Sequence, residues 1–260
     1  RITNMIYVGV CCYLFDISLE IAYLALLDQF NGKKKPADMN FGVIKRAYEW
    51  ATENLAKDTR FRFEQLNQTE GKILIDGNTA GALGSLFGGV TVAAWYPITP
   101  STSVIDGVLD HKSIRNDPET GESTVAVVQA EDELAAVGMI IGAGWAGARS
   151  MTATSGPGIS LMAEFVGLAY FAEIPCVIWD ITRMGPSTGL PTRTSQGDLL
   201  FIHFLSHGDT RQVVLLPGSV AECFEFGWRA FEEAERLQMP IFVMSDLDLG
   251  MNLWLSEPFA

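Results

Sequence analysis

Three side chains able to do chemistry fall just past predicted strands: the hydroxyl of Thr99, the carboxylate of Glu131 and the guanidinium of Arg183. A hydroxyl and a planar guanidinium can together hold a carboxylate, and an acid beside them can hold or pass a proton. Thr99 lies in Trp95-Tyr96-Pro97-Ile98-Thr99-Pro100-Ser101. The two prolines fix their own φ and push Tyr96 and Thr99 toward extended geometry, which predicts a stiff turn presenting one hydroxyl. Glu131 begins Glu131-Asp132-Glu133, directly after the apolar run Val125 to Val128. Acids are common in a helix's first turn, which accounts for Asp132 and Glu133. Glu131 is expected at the strand's carboxyl end, pointing into the crevice where open α/β sheets take ligands. Arg183 follows a strand ending at Asp180 and precedes a stiff loop, Gly185 to Gly197. Between these lies Thr152-Ala153-Thr154-Ser155-Gly156-Pro157-Gly158, where Pro157 suits a first helical position and free N–H groups can hold an anion or a carbonyl.

The elements that must position these residues are short apolar strands alternating with helices. Strands are predicted at 72–76, 90–95, 124–129, 149–154, 175–180, 212–216 and 240–245. Helices are predicted at about 78–88, 101–110, 131–147, 157–172, 198–206 and 219–237. That alternation implies an α/β fold with a mostly parallel sheet and helices on both faces. It puts Thr99, Glu131 and Arg183 on one sheet edge. Gly138, Gly142 and Ala146 form a small-residue stripe, which suggests a closely packed helix partner, including one on another subunit. Residues 1–63 are helical in pattern, with helices at 17–30 and 41–55, and cannot close a core alone. Residues 64–71 read as a linker, and residues 72–260 as the α/β domain.

Four patterns point elsewhere and fail on context. Gly142-Ala-Gly-Trp-Ala-Gly147 matches a dinucleotide fingerprint but has no full helix after it, so its glycines belong inside the 131–147 helix. Gly185-Pro-Ser-Thr-Gly189 matches a hydrolase elbow, yet Pro191 blocks the helix an elbow must enter. His203 and His207 stand i, i+4 on a predicted helix without a third ligand, and read as exposed or capping histidines. Asp246-Leu-Asp-Leu-Gly250 lacks the remaining ligands of a metal loop and reads as a strand end with turn-forming aspartates.

The chain has 260 residues and a net charge of −13, with no Lys/Arg stripe, which argues against a nucleic-acid surface. Its longest apolar stretch, 156–179, contains Glu164 and Glu173, so no membrane span is expected. The four cysteines show no CxxC spacing and read as thiols of a reducing, cytoplasmic compartment, too few and too dispersed for an iron–sulfur cluster. The chain starts without methionine and reads as a piece of something longer.

The runs Tyr96-Pro-Ile-Thr-Pro-Ser101, Glu131-Asp-Glu-Leu-Ala-Ala136, Met151-Thr-Ala-Thr-Ser-Gly-Pro-Gly158 and Arg183-Met-Gly-Pro-Ser-Thr-Gly-Leu-Pro-Thr192 resemble, in order and spacing, motifs in the α chains of thiamine-diphosphate-dependent 2-oxoacid:ferredoxin oxidoreductases. The likeness covers residues 72–260 and is greatest to chains of the 2-oxoglutarate type (2-oxoglutarate synthase). Residues 1–63 resemble the end of a fused γ domain. The resemblance implies a pyrimidine-binding domain holding half of a thiamine diphosphate site. Magnesium and a [4Fe-4S] cluster would belong to a partner β subunit; Asp76-Gly77-Asn78 is only a remnant of a diphosphate motif.

By the same resemblance, Glu131 bonds to N1′ of the cofactor's aminopyrimidine, with Thr154 and Ser155 in the cofactor site. Thr99 and Arg183 hold the 2-oxoacid's carboxylate. Ferredoxin, coenzyme A and an (αβ)2 assembly are the implied partners. Three functions stay open: this redox subunit, a non-redox thiamine enzyme half, or a non-catalytic interaction domain.

Overall fold

The computed structural model describes residues 3–64 and 66–259. Arg1, Ile2 and Ala260, at the ends of the expected domains, and Gln65, inside the expected linker, lie outside the described residues. The chain forms two compact units, residues 1–68 and 69–260.

The first unit holds three helices where the sequence pattern indicated two: α1 (Thr3–Phe15), α2 (Leu19–Gln29) and α3 (Lys34–Asn54). α1 is apolar nearly all round, so no period marks it. α3 starts at Lys34 rather than at residue 41. Pro36 falls in its first turn, where a missing N–H costs no intrahelical bond. Leu26, Ala37 and Ile44 form the core, with Tyr23 and Phe41 against it.

The second unit is built on six parallel strands: β2 (Val92–Trp95), β3 (Ala126–Gln129), β4 (Ser150–Thr154), β5 (Cys176–Thr182), β6 (Val213–Leu215) and β7 (Pro240–Asp246), in the order β3-β2-β4-β5-β7-β6. Trp95 pairs with Gln129, Thr154 with Asp180 and Thr182 with Asp246, so all carboxyl ends share one edge. The chain leaves β2 toward β3 on one side and returns to β4 on the other, which opens a crevice beyond β2.

Helices cover both faces. Against one lie α4 (Gly77–Phe87), α5 (Thr102–His111) and α9 (Val220–Leu237), with Leu86, Ile105, Phe231 and the fully buried Trp179 at the core. Against the other lie α6 (Glu133–Trp145), α7 (Gly156–Phe171) and α8 (Leu199–His203), packing Ile140, Met162, Ile202 and Ile178. Alternate residues of β5 serve the two cores, so the strand is apolar almost throughout.

Several local expectations are corrected. The strand expected at 72–76, β1 (Ile73–Ile75), does not join the parallel sheet. It pairs antiparallel with β8 (Trp254–Ser256), which no sequence signal marked. The 198–206 helix ends at His203, with Phe204 as its C-cap, so His203 and His207 do not share a helical face. His203 Nδ1 meets the Gln212 carbonyl at 3.0 Å, and His207 is exposed, 3.8 Å from Glu164. Asp246 is more than a turn former: it accepts from Leu249 N at 2.8 Å and caps a short helix, α10 (Leu247–Met251). In α6, Phe165 packs against Gly138, while Gly142 has open space beside it. No helix among the described residues is long and apolar enough to cross a membrane.

Candidate active site at the carboxyl edge of the sheet

The loop after β2 is held from two sides. Within it, Ser101 N donates to Ile98 O at 2.9 Å, and Ile98 N donates to Thr102 Oγ1 at 3.0 Å. From α4, the fully buried Asn78 donates to Pro100 O at 2.9 Å and to Ser103 Oγ at 2.7 Å. Asp76 caps α4 by accepting from Thr79 N at 2.7 Å. The Asp76-Gly77-Asn78 run is therefore a helix cap followed by a residue that fixes the Thr99 loop. Thr99 itself is exposed, and its peptide bond to Pro100 is cis.

The loop after β5 folds back on itself. Met184 N donates to Arg193 O at 2.8 Å and Leu190 N to Met184 O at 2.9 Å. Ser187 and Gly189 have positive φ, so Gly185–Gly189 turns without entering a helix. Arg183 joins the two loops. It is 6% exposed, and its guanidinium donates to Thr99 O at 2.6 Å and to Thr188 O at 2.9 Å. The structure thus brings Thr99 and Arg183 together through the threonine's backbone carbonyl, a link the spacing did not show.

The acidic triplet follows just after the end of β3. α6 begins at Glu133, and Asp132 is its N-cap, accepting from Ala135 N at 2.6 Å. Glu131 stands outside the helix and is exposed, whereas Glu133 is buried at 8% exposure. A Cβ on Gly158 would lie 2.9 Å from Glu133 Cγ and still closer to Thr154 Oγ1. The stem of Glu133 packs against β4 and the start of α7, while Glu131 stands open past the carboxyl end of β3.

Thr154 and Ser155 are both fully buried, and Ser155 Oγ has no protein partner. Further along the edge, Asp180 is wholly buried with neither carboxyl oxygen paired, and Thr182 Oγ1 is unpaired too. Burial, and then the nearby Asp198, push Asp180 well above the usual carboxylate range. Buried polar atoms are normally paired, so this concentration marks the edge as built for something other than stability. No group of three or more metal-ligating side chains occurs among the described residues.

Residues 84–252 match the family described as pyruvate flavodoxin/ferredoxin oxidoreductase, thiamine diphosphate-binding. The chain belongs to that family. The family's α-subunit relatives include 2-oxoacid:ferredoxin oxidoreductase 1, subunit alpha, of Sulfurisphaera tokodaii, 39% identical over all of this chain and 41% of the relative. 2-Oxoglutarate synthase subunit KorA of Methanothermobacter marburgensis is 46% identical over 68% of this chain and 45% of its own length. Among solved structures, 2-oxoglutarate:ferredoxin oxidoreductase from Magnetococcus marinus, with 2-oxoglutarate, coenzyme A and succinyl-CoA bound, superposes with a TM-score of 0.84. It is 36% identical, over 99% of this chain and 44% of that one. The chain spans about two fifths of the length of these family members. The parallel α/β architecture is that of the family's thiamine-diphosphate-binding domain.

Proposed function

We propose that this chain is the pyrimidine-binding part of the α subunit of a 2-oxoacid:ferredoxin oxidoreductase, acting on 2-oxoglutarate. The observation that carries it is the meeting of Arg183 with Thr99 on the edge where Glu131 stands open and Ser155 Oγ is buried without a partner. The residues present fit the pyrimidine half of thiamine diphosphate. The open carboxylate of Glu131 and an unpaired buried hydroxyl, Ser155 Oγ, offer an acceptor and a donor to a polar heterocycle. Glu131, Thr154 and Ser155 would hold it, with Glu131 in the role the resemblance gives it. When bound, thiamine diphosphate supplies the carbanion that adds to the 2-oxo carbon and accepts the electrons left by decarboxylation.

This chain's residues then do three things. Glu131 shares a proton with the pyrimidine nitrogen and can return it. Arg183, with its Nε and one N–H on each arm unused by the loops, binds the 2-oxoacid's carboxylate beside the Thr99 hydroxyl. The two pinned loops exclude water and fix the carboxylate's direction.

The partner β subunit would bring the diphosphate, magnesium and a [4Fe-4S] cluster, with electrons passing to ferredoxin and the acyl group to coenzyme A in a cytoplasmic (αβ)2 assembly. The homologues' subunit names support a partner chain. Residues 1–63 would be the end of a fused γ domain, joined through 64–71. The test is the full-length subunit with its partner: 2-oxoglutarate and coenzyme A together should reduce a viologen dye. Thiamine binding with decarboxylation but no dye reduction would favour a non-redox thiamine enzyme instead.

A further inference from the structure

Arg183 commits one donor of each arm to a loop carbonyl, but its Nε is buried and has no protein partner. Facing the same cavity, of about 440 Å³, is Asp198, whose Oδ2 is buried and also without a partner. Asp198 stands immediately before α8 yet makes no side-chain cap to it. Its carboxyl is turned instead onto the start of α7, where a Cβ on Gly156 would lie 2.8 Å from each carboxyl oxygen. A helix's N-terminal end favours a negative charge there. Burial holds the Asp198 carboxyl above the usual carboxylate range, and Arg183 pulls it part of the way back. Asp180, the other acid nearby, is fully buried and kept toward its neutral form. Asp198 is therefore the acid available to balance the guanidinium.

We propose that Asp198 is the positioning residue of Arg183: across the cavity it balances the guanidinium, so both arms stay on the carbonyls of Thr99 and Thr188. It touches neither substrate nor cofactor. Gly156 is glycine because any larger residue would displace that carboxyl. The proposal rests on Arg183 being the clamp for the 2-oxoacid's carboxylate.

The test uses the full-length subunit in complex with its partner. Asp198→Asn keeps the shape and removes the acid. KM for 2-oxoglutarate should rise about tenfold, with kcat within about twofold and bound thiamine unchanged. Amide hydrogen exchange should quicken at residues 97–101 and 185–193. Gly156→Ala keeps the acid but displaces it, and should give the same pair of changes. Exchange needs no turnover. Faster exchange in both variants supports the role of Asp198 even if the wild-type complex oxidises no 2-oxoacid, an outcome that would sink the functional proposal alone. Unchanged KM and exchange in both variants overturn the proposal. So does a KM that falls, which would make Asp198 a repelling charge, or a loss of thiamine with normal kinetics per filled site.

Discussion

Two arginines sit at opposite ends of the same sheet and are treated in opposite ways. At the amino edge, Arg149 forms a two-bond fork with Glu235 at 2.7 and 2.6 Å and donates to the Gly88 carbonyl at 2.6 Å. Each partner strengthens the other's charge: Arg149 holds Glu235 below the usual carboxylate range, and Glu235 holds Arg149 above its ordinary value. At the carboxyl edge, Arg183 has no carboxylate in hydrogen-bond contact, and buried polar atoms of Ser155, Asp180, Thr182 and Asp198 go unpaired around it. Arg149 finds its carboxylate within the chain, and Arg183 does not. The same residue type serves stability where its partner is supplied, and recognition where the partner is withheld.

The largest effect should come from the acid that stands open at the carboxyl edge. In the full complex, Glu131→Gln should lower turnover per bound thiamine by at least about 10²-fold, the scale of a lost proton-transfer partner. Glu133→Gln should stay within about twofold. Dye reduction normalised to thiamine content reads both, and equal losses would break the distinction between them. Arg183→Lys should cut kcat/KM for the 2-oxoacid by roughly 10- to 100-fold, because an ammonium cannot tie two carbonyls and still offer a planar pair of donors. Steady-state kinetics check this, and an unchanged value removes Arg183 from the site.

The unpaired acid should also tell on stability. Asp180 binds its proton more tightly folded than unfolded, so the folded state holds the extra proton above the unfolded value near 3.8. Stability should then fall as pH rises above that value, by up to about 1.4 kcal/mol per unit. Urea midpoints across pH should show this slope in the wild type and lose it in Asp180→Asn. At the other edge, Arg149→Met should cost only about 1 kcal/mol, kept small by the exposure of the pair, and lower the melting temperature by a few degrees. It should leave kcat/KM untouched. A kinetic effect there would blur the contrast between the two edges.

Much of this was legible before any coordinates. Alternating apolar runs placed all six parallel strands and the helices between them, because burial on both faces writes a continuous apolar signature. Position along the chain brought Thr99 and Arg183 to one edge. What escaped depended on single side chains or on pairing at long range. Asp132 caps α6, and the stem of Glu133 behind it packs inward while Glu131 stays outside the helix. The link from Arg183 runs to backbone oxygens, which carry no letter in a sequence. Asp198 forgoes its own helix for the start of another, a choice visible only in three dimensions. β8 has just three residues, and it is a strand because β1 is there to receive it.

That small pairing reaches further than its size. Ile73 lies opposite Ser256 and Ile75 opposite Trp254, and Lys72 meets Glu257 at 3.1 Å. The α/β unit is thus entered and left through one doorway, with its two leads running side by side in opposite directions. Whatever polypeptide is spliced to either lead emerges beside whatever is spliced to the other. A module wired in this way can be inserted into, or lifted out of, a longer chain without rerouting its interior.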